Sequence, residues 1–448
     1  MIKSNLTFCK SYPTWANACV GNNGSPGNWE YSRGYSYAAN LLIDQVLLDQ
    51  GKNYPVDMFI YPVCFNMRHS VELRLKGAIQ KLQEISKIRD ENLEFNYAQS
   101  HDIGQIWNFF NDKSKAIDER YTEINDNLKT KILDIAEVDP TGQTFRYPFS
   151  TESQKHLVDV SIINFLNLRH QFNSLESDLE KLDELSVYLI DEYGQKSCTK
   201  HLSRKKIFNI AQKLPDRIKW SENSFIEVKT EIKEAFGLGS KELSIALKII
   251  EDHYEFAPLI GVLPTLKGVI ESEVIQFFNE WCKFHDISSD TEDTVELENL
   301  GIDYFAGTTS QFKRYLFQKK TQEEIWENMS STLTPEMIAG LKTLFFFANE
   351  LDFSEKYVFL YQQELKNIED VFTRSKDDMK SEFMNILLKT NAMYNFVKSL
   401  YFLKHHNLAK ILVNSYNLET KFPWLDDARS GKLFEKPAYC GYEIKNSK

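Results

Sequence analysis

The sequence has few of the residues that build turn-rich β proteins. Its 448 residues include only 18 glycines and 12 prolines, whereas a sandwich or barrel needs turn residues after each of its many short strands. Leucine, lysine and glutamate are common instead, and these residues favour helices. With 42% hydrophobic and 26% charged residues, the composition is that of an ordinary folded protein. The sequence therefore predicts an all-α, multi-helix bundle.

Cysteine is also scarce, and its six positions are scattered. None stands in a C-x-x-C pair, so we expect no zinc site, no disulfide framework and no other cofactor. The N-terminus lacks the charged-then-apolar pattern of a signal peptide. The most apolar run, residues 344–348, is far shorter than the roughly 20 residues that a membrane-spanning helix needs. These absences predict a cytoplasmic protein that does not enter the membrane.

Positive charge is not in excess either. The chain has 53 lysines and arginines against 64 acidic residues, a net charge of −11. This balance argues against broad, non-specific binding to nucleic acid, which requires many phosphate-neutralising side chains. One local basic cluster stands out, and we interpret it as a solvated helix end: Lys200, His201, Arg204, Lys205 and Lys206.

Standard catalytic signatures are missing as well. The chain contains no G-x-x-x-x-G-K-[ST], no G-x-G-x-x-G, no H-E-x-x-H and no G-x-S-x-G. ATPase, dinucleotide-binding and zincin-type activities are therefore poorly supported.

What is present is an arginine in the buried stripe of a predicted helix, within residues 61–85. Apolar residues there recur at alternating three- and four-residue steps, and the same steps continued backwards reach Arg68. Glu72 lies one turn further on, within reach of Arg68. Burying a guanidinium without a partner costs several kcal/mol, so Arg68 is expected either in a structural ion pair or at the floor of a site. The sequence leaves both interpretations open.

The pattern of helices predicts two helical domains, residues 1–195 and 196–448. Ser100 or Asp102 is the expected N-cap of a helix that starts at residue 103. A near-heptad repeat of leucine and phenylalanine predicts the longest helix over residues 157–190, packed inside the bundle or against a second subunit. Thr334 and Pro335 mark another helix start. Residues 144–147 are predicted to be a short extended piece, and residues 286–299 an acidic loop.

Five residues of the N-terminal domain form our candidate catalytic set: Arg68, His69, Glu72, His101 and Arg146. An Arg–His–carboxylate group could perform acid–base chemistry on a phosphodiester, with histidine moving the proton and arginine holding the phosphate. Alternatively, Arg68, Glu72 and Arg146 form a buried polar network that fixes the packing.

Four ordered motifs give the chain a resemblance to a family. They are a G-Y-x-x-A-A helix, a Y-P…R-H-x-x-E-L-x-L-K helix, an H-D-[LI] helix start and a D-P-x-G-Q-x-F-R-Y-P turn, here residues 34–39, 61–76, 101–103 and 139–148. This pattern resembles a family of uncharacterised bacterial proteins over the first third of the chain. The helical arrangement resembles the HEPN superfamily, which implies ribonucleases or their inactive partners in antiphage and toxin–antitoxin systems.

The chain departs from the HEPN nuclease signature, an arginine followed four to six residues later by a histidine. Arg68 and His69 are adjacent instead. Our leading hypothesis is therefore an HEPN-like interaction or regulatory protein that binds a protein partner or self-associates. The alternatives are a metal-independent ribonuclease, with RNA as its partner, and a helical scaffold that dimerises through residues 157–190.

Overall fold

The protein is all-helical over the residues that its computed structural model describes. These are residues 5–21, 23–97, 99–149, 155–285, 304–373 and 375–443, without the side chains of residues 304–315 and 376. They contain sixteen α-helices and no β-strand, which confirms the predicted all-α, multi-helix fold. No helix among them is long and apolar enough to cross a bilayer. The chain divides into two compact units, Met1–Gly194 and Gln195–Lys448, one residue from the boundary that the sequence predicts.

The N-terminal unit is a bundle arranged around one long central helix. Its helices are α1 (Asn28–Asp49), α2 (Val56–Ile88), α3 (Ile103–Ile117), α4 (Tyr121–Val138) and α5 (Phe165–Gly194). Helix α2 packs against α1, α3 and α5, and α4 packs against α3 and α5. Residues that project from α2 therefore meet side chains from several directions.

Helix α2 is longer than the sequence indicates. Pro62 lies within α2, six residues after the helix begins. Its ring is exposed, but a proline at this position removes the hydrogen bond that an amide would donate one turn back and crowds the carbonyl there. The buried stripe that follows, including Val63, Val71 and Leu75, provides packing that sustains the helix despite this loss.

Helix α5 starts later than predicted, and its leucines face the interior. The Asn164 side chain accepts hydrogen bonds from the amides of Leu166 and Asn167, which begins the helix there rather than at residue 157. Five of the six leucines of the repeat are each no more than 2% exposed, and Leu168 is half-buried; the five are Leu175, Leu179, Leu182, Leu185 and Leu189. Packing inside the bundle is confirmed, and the alternative of an exposed leucine face for dimerisation is wrong.

The C-terminal unit has two hydrophobic clusters. The first lies among α6 (Arg204–Lys213), α7 (Ser224–Phe236) and α8 (Ser240–Asp252). The second involves the remaining helices: α9 (Glu271–Phe284), α10 (Tyr304–Met329), α11 (Pro335–Phe347), α12 (Glu355–Phe372), α13 (Lys376–Leu387), α14 (Ala392–Phe402), α15 (His406–Ser415) and α16 (Leu425–Ser430). The Thr334 side chain caps α11 by accepting from the amide of Met337, as predicted. The predicted acidic loop lies outside the described residues.

Candidate functional site

Arg68 lies inside the N-terminal unit, where it binds main chain rather than solvent and is one of the residues lining a mainly apolar cavity of about 310 Å³. Its residue exposure is 3%. Nε donates to the carbonyl of Asp139 at 3.0 Å, and Nη2 donates to the carbonyls of Pro140 and His101 at 2.8 and 2.5 Å. Nη1 donates to the Glu72 carboxylate. The guanidinium therefore ties α2 to the residue before the α3 cap and to the turn after α4.

Glu72 shares the burial of Arg68 and is held by three groups. Besides Arg68, Lys76 Nζ donates to Oε1 at 2.8 Å, and His101 Nδ1 lies 3.1 Å from the same oxygen. Burial by itself would raise the pKa of Glu72, but the hydrogen bonds and charges of Lys76 and Arg68 outweigh it and hold the pKa below its usual value. Glu72 is therefore a carboxylate at neutral pH. We refer to Arg68, Glu72, Lys76, His101 and Asp139 as the Arg68 network.

The turn that follows α4 is shaped to fit the guanidinium. Gly142 has a φ of +78°, and a Cβ at this position would lie 3.1–3.2 Å from Nη1 and Cζ of Arg68. Asp139 is fully buried, and its Oδ1 accepts from the amide of Thr144 at 3.0 Å. Glycine is thus needed here both for its backbone conformation and for the close approach of Arg68.

Residues 144–147 are not an extended piece, contrary to the prediction. The amides of Arg146 and Tyr147 both bond to the carbonyl of Gln143, at 3.1 and 3.0 Å. The chain therefore turns tightly at this point. Two hydrogen bonds hold the start of the segment: a local one from the Thr144 amide to the Asp139 side chain, and a tertiary one from Arg68 Nε to the Asp139 carbonyl.

His69 and Arg146 lie in a separate aromatic stack beside the network. The Arg146 guanidinium carbon lies 5.6 Å from the ring centroid of Phe65 and 5.2 Å from that of Tyr147. His69 stacks on the same Phe65 ring, with the ring centroids 5.7 Å apart. It also meets the Tyr35 ring edge to face, at 4.5 Å between centroids. Burial lowers the pKa of His69. The negative charge of Glu72 raises this pKa, whereas the positive charges of Arg68, Lys76 and Arg146 lower it further. His69 is therefore neutral at pH 7.

The structure thus brings the five candidates together in two groups. Arg68, Glu72 and His101 share one hydrogen-bonded network, whereas His69 and Arg146 share an aromatic one. Only His101 and Arg146 are exposed; the His101 side chain is 62% exposed and Glu72 only 5%. A buried carboxylate next to Nδ1 of an exposed histidine leaves Nε2 as the outward nitrogen available for proton transfer or anion binding.

Two members of the network escaped the sequence analysis. Lys76 falls one turn after Glu72 within the same motif, so the i, i+4 spacing was available as a signal. Asp139 gave no signal of its own beyond its place before a proline, because its role depends on a helix 71 residues earlier in the chain. Asp102 acts as predicted: its side chain accepts from the amide of Gln105 and caps α3.

The C-terminal unit contains a second buried arginine, which corrects the prediction of a solvated basic cluster. Arg204 is 1% exposed. Its Nε donates to Glu355 at 2.7 Å, and Nη2 donates to Glu255. Three rings surround the guanidinium carbon at 4.8–5.2 Å from their centroids: Phe256, Phe353 and Tyr442. Local charge density misled the prediction, because this one cation points inward to two carboxylates distant in sequence.

The same region holds a cluster of ligand-type groups, His253, Glu255 and Glu355. It does not fit a metal ion, because Arg204 and Lys436 already occupy the carboxylate oxygens. His253 Nδ1 accepts from a backbone amide at 3.1 Å, and Nε2 lies 2.8 Å from Glu355. Both ring nitrogens are therefore engaged, and the negative charge is already balanced by protein cations.

Comparison of the chain with protein-family models, with curated proteins and with solved structures gives no match.

Proposed function

We propose that the chain is a cytoplasmic, HEPN-like interaction or regulatory protein of a bacterial antiphage defence or toxin–antitoxin system. One observation supports the non-catalytic part of this proposal above all others. Arg68 is buried, and its guanidinium donors are directed at three backbone carbonyls and Glu72. A group bound in this way cannot also bind a substrate phosphate without the turn being released.

On this proposal the Arg68 network builds a binding surface instead of performing chemistry. It fixes the segment from Asp139 to Tyr147, which in turn exposes Arg146 and the Tyr147 ring. Arg146 has no carboxylate within ion-pair distance among the described residues, so its charge remains available to an acidic partner. An arginine backed by aromatic rings is a typical anchor of a protein interface.

A metal-independent ribonuclease is the second candidate, and one feature favours it. Glu72 lies 3.1 Å from Nδ1 of His101, and the His101 side chain is exposed. Carboxylate–histidine pairs of this type orient a general base in hydrolytic enzymes. In this role His101 would move the proton, Glu72 would position it, and Arg146 would hold the phosphate.

Cleavage of total RNA and a defined tRNA in EDTA separates the two candidates. Purified wild type is compared with His101→Gln and Arg146→Met; both positions are exposed, so the circular dichroism spectrum should remain that of wild type. On the leading proposal, all three proteins leave the RNA at the level of a buffer control. Cleavage by wild type that His101→Gln abolishes would overturn that proposal in favour of the nuclease.

The regulatory role has its own test in cells. A bacterial host carries the gene with its native neighbours and is challenged with phage, with Arg146→Glu as the surface variant and Lys248→Glu, an exposed position in the other unit, as the matched control. We expect Arg146→Glu alone to abolish protection or to change the growth phenotype. Identical phage titres and growth rates with wild type, both variants and an empty vector would contradict the assignment to defence.

A further inference from the structure

The N-terminal arm, residues 5–20, carries a set of large apolar side chains that the described part of the chain leaves uncovered. They are 77–90% exposed: Leu6, Phe8, Tyr12, Trp15 and Val20. Lys10 is the arm's only charged residue. A soluble chain rarely leaves so many apolar groups in water unless they meet a partner surface.

Part of the arm is already shaped for docking. Asn17 folds the chain back on itself: its Oδ1 accepts from the amide of Ser11 at 3.0 Å, and its Nδ2 donates to the carbonyls of Ser11 and Thr14 at 2.9 and 3.1 Å. This loop holds Tyr12 and Trp15 while both remain exposed. A preformed loop loses less conformational entropy on binding than a flexible one.

The same unit contains a groove of about 950 Å³ that is open to solvent, with a mixed apolar and polar lining that includes Asp57, Arg146 and Lys155. Four of its lining residues are large, apolar or aromatic, and 46–87% exposed: Tyr61, Tyr147, Val158 and Ile162. Behind it lies a smaller, mainly apolar cavity of about 310 Å³, and the two share Phe145, Val160 and Ile163 as lining residues. The smaller cavity has room for one large side chain.

We infer that the groove receives the arm of a second copy of this chain, so that two copies exchange arms. The described part of the chain carries both an apolar segment and a groove with exposed apolar side chains along it. Reciprocal exchange covers all four surfaces and closes with two-fold symmetry, without leaving a free end for further addition. Arg146 and Tyr147 line this groove, so the arm of a second copy would compete there with the acidic partner of the proposed function, and sedimentation tests the dimer separately.

The area involved is sufficient for a stable dimer. Buried aromatic side chains such as Phe8, Tyr12 and Trp15 cover about 150–250 Å² each. Two exchanged arms, together with the grooves that receive them, then bury at least roughly 1,800 Å², compared with the ~1,600 Å² of a standard protein interface. The dimer predicted here differs from one built on α5, whose leucine stripe is already buried.

Sedimentation of the full chain at micromolar concentrations tests the dimer. Trp15→Asp changes the arm and Ile162→Asp the groove; Ile218→Asp, at an 83%-exposed position in the C-terminal unit, is the matched control. All three positions are exposed, so circular dichroism should remain that of wild type. We expect wild type and the control to be dimers, and each of the other two variants to dissociate about tenfold or more readily.

A mixing experiment identifies the arm–groove contact itself. In a mixture of Trp15→Asp and Ile162→Asp chains, the unchanged arm of one copy meets the unchanged groove of the other, which restores one of two contacts. We expect the mixture to associate more strongly than either variant alone. A monomeric wild type, dimers that survive both substitutions, or a mixture no better than its components would each overturn the inference.

Discussion

Replacing Arg68 by methionine should destabilise the N-terminal unit strongly, even though Arg68 binds no substrate on our proposal. The substitution removes the side-chain donor of three carbonyls, those of His101, Asp139 and Pro140, although the Pro140 carbonyl still accepts from the amide of Ile103 at 2.8 Å. It also leaves Glu72 with one positive partner fewer. Each buried acceptor that loses its partner costs about 1–3 kcal/mol, and breaking a buried ion pair about 3–5 kcal/mol. Because these costs overlap, we expect the free energy of unfolding to fall by about 3–5 kcal/mol.

Thermal and urea unfolding of the full chain, followed by circular dichroism, measure this loss. For a unit of 194 residues, each kcal/mol lowers the melting temperature by roughly 2–4 °C, so the transition of this unit should move down by roughly 6–20 °C. Arg68→Lys should recover little of it, because an ammonium cannot reach three carbonyls and a carboxylate from one point. Arg146→Met, at an exposed position, should stay within about 0.5 kcal/mol of wild type.

A double-mutant cycle with Glu72→Gln then isolates the ion pair. Two side chains in direct contact should show a coupling free energy of about 0.5–3 kcal/mol. If Arg68→Met unfolds at the wild-type temperature, or if the coupling is zero within error, Arg68 does not hold the turn and the reasoning about the site fails.

Three further predictions follow from particular contacts. Gly142→Ala should cost about 1 kcal/mol or more, measured by urea unfolding, and more than Gly237→Ala, because a Cβ at residue 142 meets the Arg68 guanidinium whereas Gly237 has the same positive φ in open space. The free energy of unfolding should fall as the pH drops below 4.5, the usual pKa of a glutamate, because the folded state holds the pKa of Glu72 lower. In Glu72→Gln the free energy of unfolding should depend less steeply on pH between about pH 5 and pH 3. Added Zn²⁺ should leave the wild-type melting temperature unchanged, because Arg204 occupies the carboxylates of the only metal-type cluster in the described part of the chain; a rise of several degrees would contradict this.

The sequence alone determined the features that depend on local periodicity and capping. The stripe along α2 placed Arg68 inside the bundle and required partners for it, because an unpaired buried guanidinium is too costly. The leucine repeat indicated a packed helix, and Asp102 and Thr334 marked helix starts by their short side-chain oxygens. All of these rest on residues within about one turn of each other.

Only the tertiary structure decided what the buried cations bind. Arg68 meets carbonyls 33 to 72 residues away, and Arg204 meets Glu355 at a separation of 151 residues. Because a main-chain carbonyl is present at every residue, no sequence pattern marks which ones will accept from an arginine. The sequence therefore established that Arg68 needs partners. Packing determined that those partners are Glu72 and the turn after α4, which Arg68 holds in place. Packing also left only His101 and Arg146 of the candidate set exposed.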